Sequence, residues 1–406
     1  MFKMNKKIKG SKNLNVPNLR FPEFSGEWEK SRLNRFASKI TKKNKGNTIS
    51  NVLSNSANYG IIPQIDFFDR SIANSDNTEG YYVIEKNDFV YNPRKSASAP
   101  YGPINVYNGE ACGIISPLYL CFKVKGINRR FLYHYFKSTK WHPYMYANGD
   151  SGARHDRVSI KDETFLELPI FHPGEAEQCK IVELVESLDN RIATQIKIIE
   201  KLESLIRGLI TDVNSGRIAQ CKSVYLRDLL TEQHEKNTNN YEVCSVSVSQ
   251  GVINQIDYLG RSFAAKEVLH YNVVNCGDIV YTKSPTGEFP YGIVKRSDIT
   301  KPVAVSPLYG VYRPINDYVG KYLHLYFMSP INAKNYLHKL IQKGAKNTIN
   351  ITNQHFLDNK ILIPEKGWLD KIVKFAAAIE MKIATENKVL QTLQQQKDYL
   401  LSSLFI

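Results

Sequence analysis

The stretch Ile-Ser-Pro-Leu-Tyr at residues 115–119 returns as Val-Ser-Pro-Leu-Tyr at residues 305–309, 190 positions later. The same offset brings more of the chain into register on either side. Asp-Phe-Val-Tyr at 88–91 matches Asp-Ile-Val-Tyr at 278–281, and Pro100-Tyr101-Gly102 matches Pro290-Tyr291-Gly292. Further on the offset becomes 191. FLYHYF at 131–136 then matches YLHLYF at 322–327, FLELPIFHP at 165–173 matches FLDNKILIP at 356–364, and RIAT at 191–194 matches KIAT at 382–385. Chance does not hold one register over so long a stretch, and a long-period repeat decides the fold before any single motif does. The chain is two copies of one unit.

Both copies follow one plan. β-branched and aromatic stretches interrupted by Gly, Pro and Asn read as short strands and turns. DFVY and ISPLYLCF (115–122) are the best strand candidates in the first copy, DIVY and VSPLYGVY (305–312) in the second. ISPLY and VSPLY are read as part of one buried scaffold strand. A helix near FLYHYF or YLHLYF follows, then Pro173 or Pro364, then a long helical pattern. The expected fold class is mixed α+β: two tandem domains related by a pseudo-two-fold and joined by two long helices.

After Pro173, apolar residues fall at Ile181, Val185, Leu188, Ile192, Ile199, Leu202, Ile206 and Leu209. Gaps alternating four and three make a heptad seam rather than a broad surface stripe. The second copy places Ile372, Ala376, Ile379, Ile383, Leu390, Leu393, Lys397 and Leu400 on the same seam. Gln195 interrupts the first seam and Glu386 the second, at equivalent positions. An antiparallel coiled coil would bring these two together as a central polar layer that fixes register. A helix of about 30 residues would be roughly 45 Å long. The expected organisation is a basic tail and lead-in (1–27), a first domain (28–174), a central helix (175–214), a second domain (215–365) and a distal helix (366–406).

Composition narrows the function. With 406 residues the chain can bury more than one core. No apolar run approaches the ~18 residues of a membrane span, and the basic start lacks the apolar segment of a signal peptide, so a cytoplasmic location is expected. The six cysteines form no CxxC pair and have no histidine at zinc-ligand spacing. The formal charge of +15 points to a polyanionic partner, although +10 of it lies within residues 1–45. No GxxxxGK[ST] phosphate loop is present. The nearest run to an adenine methyltransferase Asn-Pro-Pro-aromatic motif, YNPRK at 91–95, has Arg94 where the second proline belongs.

Two variable α/β units, each followed by a similar long helix, resemble the specificity subunit of a Type I restriction-modification enzyme. NVPNLRFPEFSGEWEKSRL (15–33), the P-Y-G and SPLY segments, and the terminal QQQKDYLLSSLFI (394–406) are similar to that family as well. The resemblance implies that each unit is a target-recognition domain reading one half of a bipartite duplex DNA sequence. It implies that the helices space the units and dock two modification (methyltransferase) subunits, with restriction (endonuclease and translocase) subunits added. S-adenosylmethionine, ATP and Mg2+ would then belong to those partners, and this chain would be non-catalytic, with no cofactor of its own.

Specific readers place Lys and Arg on phosphates and other polar side chains on base edges, usually from loops. KITKKNKGN (39–47) offers Lys42, Lys43, Lys45 and Asn47; its counterpart EQHEKNTNN (232–240) keeps Lys236 and Asn239. Gly152-Ala153-Arg154 recurs as Gly344-Ala345-Lys346, which makes Arg154, Arg157, Lys343 and Lys346 candidates for phosphate. The paired loops NPRKSASAPYG (92–102) and TKSPTGEFPYG (282–292) add Arg94, Lys95, Lys283 and Ser284. Each group would equally suit a solvated loop. Tyr101 and Tyr291, common to both copies, are read as scaffold. Other readings stay open: an RNA- or single-strand-binding scaffold, for which the 24 tyrosines would supply stacking surfaces, a nuclease whose site the sequence does not reveal, and an adaptor without base readout.

Overall fold

The protein is described by a computed structural model, which covers residues 3–4, 15–67, 78–151, 156–259, 267–343 and 349–406. The chain divides into two compact units, residues 1–195 with 389–406, and residues 196–388. Each long helix is therefore shared: its two stretches belong to different units.

In the first unit the strands at Gly60–Pro63, Val52–Ser56, Gly113–Ile115 and Tyr82–Ile84 form one sheet in that order, with Val52–Ser56 and Gly113–Ile115 parallel. A second, antiparallel sheet runs Ala37–Lys39, Leu120–Val124, Phe89–Tyr91, Ile104–Val106. The inner faces of the two sheets meet in a small core holding Leu53, Ile84, Val90, Ile115 and Cys121. The other face of the second sheet, with Phe89, Tyr91 and Phe122, packs on Phe131, Leu132 and Phe136 of the helix Arg129–Lys137. Asn128 caps that helix, accepting from the backbone N–H groups of Arg130 and Phe131.

The second unit repeats the antiparallel sheet as Leu230–Glu232, Gly310–Pro314, Ile279–Thr282, Ile293–Arg296. The first sheet survives as two antiparallel pairs, the hairpin Cys244–Ser247 with Gly251–Asn254, and Asn272–Val274 with Val303–Val305. Val246, Val252, Val274, Val280, Val303 and Val311 fill the space between the layers. The helix Asp317–Met328 stands where Arg129–Lys137 does and is capped by Asn316. The mixed α+β class and the twofold repetition expected from the offsets are both present.

The opening motif reads differently in three dimensions. ISPLYLCF and VSPLYGVY are not single strands. Strand ends at Ile115 and Val305, and a tight turn follows, with Tyr119 N–H donating to the Ser116 carbonyl (3.1 Å) and Tyr309 N–H to the Ser306 carbonyl (3.0 Å). Each serine hydroxyl also accepts from the leucine N–H two residues on, at 3.3 Å. The chain then enters the other layer at Leu120 or Gly310. The motif is thus the point where the chain changes layer, and Leu118 and Leu308 are exposed rather than buried.

The long helices span Glu175–Asn214 and Lys366–Leu404, 40 and 39 residues, about 60 Å each. They run antiparallel within each unit. In the first, Ile181 and Val185 share a core with Leu401, Leu404 and Phe405, and Lys397 Nζ meets Asp189 Oδ1 at 2.6 Å. In the second, Ile206, Ile210 and Val213 share a core with Ile372, Ala376 and Ile379. The seam drifts towards the ends: Ile210 and Leu401 are buried where the strict heptad placed Leu209 and Leu400, as the mismatch between 3.6 and 3.5 residues per turn requires. Gln195 is buried in the first unit, and Glu386 in the second accepts from Lys382 Nζ at 2.5 Å.

The lead-in of residues 15–33 is an anchor. Arg20 is buried and forms a two-point pair with Glu177 in the first turn of the central helix, at 2.8 Å to each carboxylate oxygen. Trp28 Nε1 donates to the same carboxylate at 3.4 Å.

Candidate nucleic-acid interface

Two separately chosen groups in the first unit come together. The loop after Phe89–Tyr91 lies against residues 156–158: Lys95 N–H donates to the Asp156 carbonyl (2.8 Å), Val158 N–H donates to the Pro93 carbonyl (2.9 Å), and Arg94 pairs with Arg157 across an isolated bridge. Arg94 Nε lies 3.6 Å from Asp156 Oδ2, with its side chain largely exposed. Arg157 Nε is enclosed and makes no hydrogen bond. Tyr119, the last residue of the repeated turn, bonds to Ser54 and feels the charges of Arg157 and Arg94, while burial pushes its phenol above the usual range. Arg94, Lys95 and Arg157 form a basic edge with a tyrosine behind it. Arg154 lies outside the described residues.

The corresponding loop of the second unit carries fewer charges. Lys283 and Ser284 are exposed, Ser284 N–H donating to Thr282 Oγ1 (3.3 Å). Partial burial pulls the Lys283 ammonium below its usual range. Lys346 lies outside the described residues, and of Lys343 only the backbone is described, in a strand pair with Ile349. What holds both loops is the P-Y-G triplet. Tyr91 and Tyr281 donate through their hydroxyls to the carbonyls of Tyr101 (2.9 Å) and Tyr291 (2.8 Å). Gly102 and Gly292 have φ of +86° and +103°, and a Cβ on either would lie 2.0 Å from the carbonyl oxygen of Asn92 or Thr282. Only glycine fits.

The third group lies on matching turns. Lys43 bridges Tyr82 and sits 5.7 Å from its ring centroid; Lys236 bridges Asn272 and donates to its Oδ1 at 2.7 Å. Lys42 reaches Glu85 at 4.0 Å, and Lys45 is exposed. The asparagines serve the turns. Asn47 has φ +51° and accepts from Thr78 Oγ1 (2.9 Å); Asn239 donates to Tyr241 Oη (2.9 Å). The sequence reading passed over Asn44 and Asn237, which are buried and tie each turn together by bonding Ile49 and Tyr241 backbone groups. Their one signal was the shared Lys-Asn pair at 43–44 and 236–237.

With this geometry in hand, similarity to known proteins is informative. Residues 25–204, the first copy with most of its long helix, match the family model described as Type I restriction modification DNA specificity domain. The matched stretch is similar to that family and makes up less than half of the chain. Across the chain the fold agrees with two solved structures. One is the Type I restriction-modification system S subunit from M. genitalium, 13% identical, covering 96% of this chain and 99% of that one with a TM-score of 0.51. The other comes from work on complex assembly and conformational transition of the type I R-M system, also 13% identical, covering 93% and 97% with a TM-score of 0.54. No curated protein sequence matches the chain. Among the described residues no group of three His, Cys, Asp or Glu side chains is placed to hold a metal, and no helix is long and apolar enough to cross a membrane.

Proposed function

We propose that this chain is the DNA sequence-specificity subunit of a Type I restriction-modification system. Each unit reads one half of a bipartite duplex target. The long helices set the distance between the half-sites and dock two methyltransferase subunits, which restriction subunits join. The observation that carries this reading is the repetition itself: the second copy reproduces, strand for strand, the domain that matches the DNA specificity family in the first. A frame kept twice with different loops suits a target of two different halves. Arg94, Lys95, Arg157, Lys43 and Lys236 would meet phosphates, and residues of the same loops would meet base edges. The chain is non-catalytic; S-adenosylmethionine, ATP and Mg2+ act in its partners, which also take the adenine out of the stack. RNA readers expose aromatics for stacking. Here Tyr91, Tyr135, Tyr281, Tyr312, Tyr322 and Tyr336 are buried and unavailable for stacking, while Tyr59, Tyr146, Tyr258, Tyr318 and Tyr399 are exposed, so the duplex reading rests on the repeated domain and not on the aromatics.

The test is to map N6-methyladenine genome-wide in cells that carry this chain with its methyltransferase and nothing else of the kind. A split motif is expected. Replacing one unit's loops with those of a relative should change one half of the motif and leave the other. Methylation at an unsplit site, or none attributable to this chain, would refute the proposal.

A further inference from the structure

The copies part company at four positions that the repeat superposes. In the first unit Asn55, Asn92, Asn105 and Lys137 form a buried polar chain. Asn92 Nδ2 donates to the Asn55 carbonyl (3.0 Å) and Asn105 Nδ2 to Asn55 Oδ1 (2.6 Å). Lys137 Nζ donates to Asn105 Oδ1 (2.6 Å) and to the Ile104 carbonyl (3.1 Å). In the second unit the same positions hold Val246, Thr282, Lys295 and Met328. The register confirms the equivalence: Asn105 lies opposite Val90, and Lys295 opposite Val280. The lysine has moved from helix to strand, and both asparagines that served as acceptors are gone.

Lys295 is 5% exposed, and its ammonium has no hydrogen bond or ion pair among the described residues. A largely buried ammonium without a partner is costly, and burial pulls it below the usual lysine range. Lys295 lines a cleft of about 760 Å3 whose helices present Ile206, Ile210, Leu325, Met328 and Ile383, interspersed with the charged Glu203, Arg207 and Glu380. The other titratable groups around it are paired or shifted towards their neutral forms. Arg296 is held by Asp298 and by Asp317 (2.5 Å), and Arg207 faces Glu203 at 3.9 Å. His324 Nδ1 accepts from the Arg296 N–H (3.1 Å), and burial drops that imidazole to about 3, so it stays neutral. Glu380 of the distal helix also lines the cleft; the residue is exposed as a whole, but burial raises its carboxyl above the usual range, which favours its neutral form.

We propose that the second unit binds an organic anion here, a carboxylate or phosphate on an apolar body, with the anionic head on Lys295 and the body against the aliphatic wall. The cleft falls within the roughly 300–1,000 Å3 of small-molecule sites, which pair apolar linings with a few placed polar groups. The head would supply the acceptor that Asn105 supplies to Lys137 in the first unit. No such site is expected there, because its lysine is already satisfied.

The full chain should bind anilinonaphthalene sulfonate saturably at one site, read by fluorescence. Octanoate and octyl phosphate should displace the dye, the tighter of the two assigning the head chemistry, whereas octanol should not. The double substitution Lys295→Asn with Met328→Lys rebuilds the first unit's pair. It should weaken dye binding at least tenfold without lowering the melting temperature. Should that variant misfold, Lys295→Met, which keeps the length and removes the charge, should give the same loss. Dye binding that survives either folded variant, or octanol competing as well as octanoate, would overturn the site. So would a chain that binds no probe while Lys295→Met loses only its methyltransferase subunit, which would make the cleft a protein contact.

Discussion

Tyr91 stacks on Phe165 in the first unit with ring centroids 4.6 Å apart, and Tyr281 stacks on Phe356 in the second at the same 4.6 Å. Before the strand bearing each tyrosine, one backbone position has positive φ: it is Asn87 in one copy and Gly277 in the other. The next residue, Asp88 or Asp278, is buried in both and accepts a backbone N–H three residues back, from Glu85 (2.8 Å) or Asn275 (2.9 Å). Away from this frame the copies diverge. The first is anchored to its helix by Arg20, fills its centre with an Asn-Asn-Asn-Lys chain and presents a basic edge at Arg94 and Arg157. In the second the Arg217–Asp212 pair is exposed, the lysine opens on a cleft and the matching loop carries one cation. What is kept in both copies is what a strand, turn or aromatic stack demands; what differs is free to answer a ligand.

The sharpest way to break the frame is Gly102→Ala or Gly292→Ala. The new methyl group would meet a backbone carbonyl that cannot move without disrupting its strand, at a φ that alanine resists. A loss of about 4 kcal/mol or more is expected for either unit. Denaturant unfolding should show both variants equally damaged. A tolerated alanine at one of the two would mean that the frame is not shared at this point.

Arg20→Ala tests the opposite expectation, a large effect confined to one copy. It would leave Glu177 buried without its cation, and breaking such a pair costs about 3–5 kcal/mol. Hydrogen exchange should show loss of protection in residues 15–39 and 169–195, with residues 196–388 unchanged. Equal loss in both units would show that the anchor serves the whole chain.

Next in size are the basic edges. Arg94→Ala and Arg157→Ala should each weaken duplex binding by the assembled methyltransferase and reduce the salt slope by about 1, while the methylated motif stays the same. Lys283→Ala should do less, because that ammonium is partly desolvated. A changed motif in either arginine variant would move that residue from phosphate to base contact.

How much of this was legible beforehand follows from where each signal lies along the chain. Aromatic strands and heptads announce themselves locally, and identical pairs such as Tyr101 and Tyr291 expose the frame by comparison alone. The layer change at Ser116 was not legible, since a Ser-Pro-Leu-Tyr turn flanked by apolar residues has the composition of a strand. Nor was the Asn55–Asn92–Asn105 network, whose members are far apart in sequence and are unremarkable singly. The Lys137–Lys295 exchange was hidden for a further reason: it is a difference between copies, and aligning repeats draws the eye to what agrees. Of the basic residues chosen, Arg94, Lys95 and Arg157 do converge. Asn47 and Asn239 also serve their turns, Asn47 at a positive φ and Asn239 through its bond to Tyr241 Oη.

A smaller effect comes from grafting one copy's residue into the other. His134 is fully buried, both ring nitrogens lack a hydrogen bond, and the nearest carboxylate oxygen, from Glu186, is 3.8 Å away. The second copy has Leu325 at this place. Burial drops the His134 imidazole to about 4 from an ordinary 6.5. Between those values the unfolded chain binds the extra proton. His134 therefore costs no charging energy above pH 6.5, and stability falls as the pH drops from 6.5 towards 4. His134→Leu should add about 1–2 kcal/mol at neutral pH by removing two unsatisfied nitrogens, and should flatten that acid limb. An unchanged limb would mean that another group governs it.

The smallest effect concerns the seam, where the helices of both copies take part. If Gln195 and Glu386 form one polar layer, Gln195→Leu should raise the melting point by about 2 °C, since a polar seam residue costs stability while fixing register. Glu386→Leu should also remove the i,i+4 pair between its mostly buried carboxylate and Lys382. The double variant decides the matter. Residues sharing a layer give a coupling energy of about 0.5 kcal/mol or more, whereas residues that never meet add to within about 0.3–0.5 kcal/mol. Strong coupling together with a blurred spacer in the methylated motif would make this pair the mark from which the ruler is set. Additivity with an unchanged motif would leave the aliphatic seam alone to hold the register.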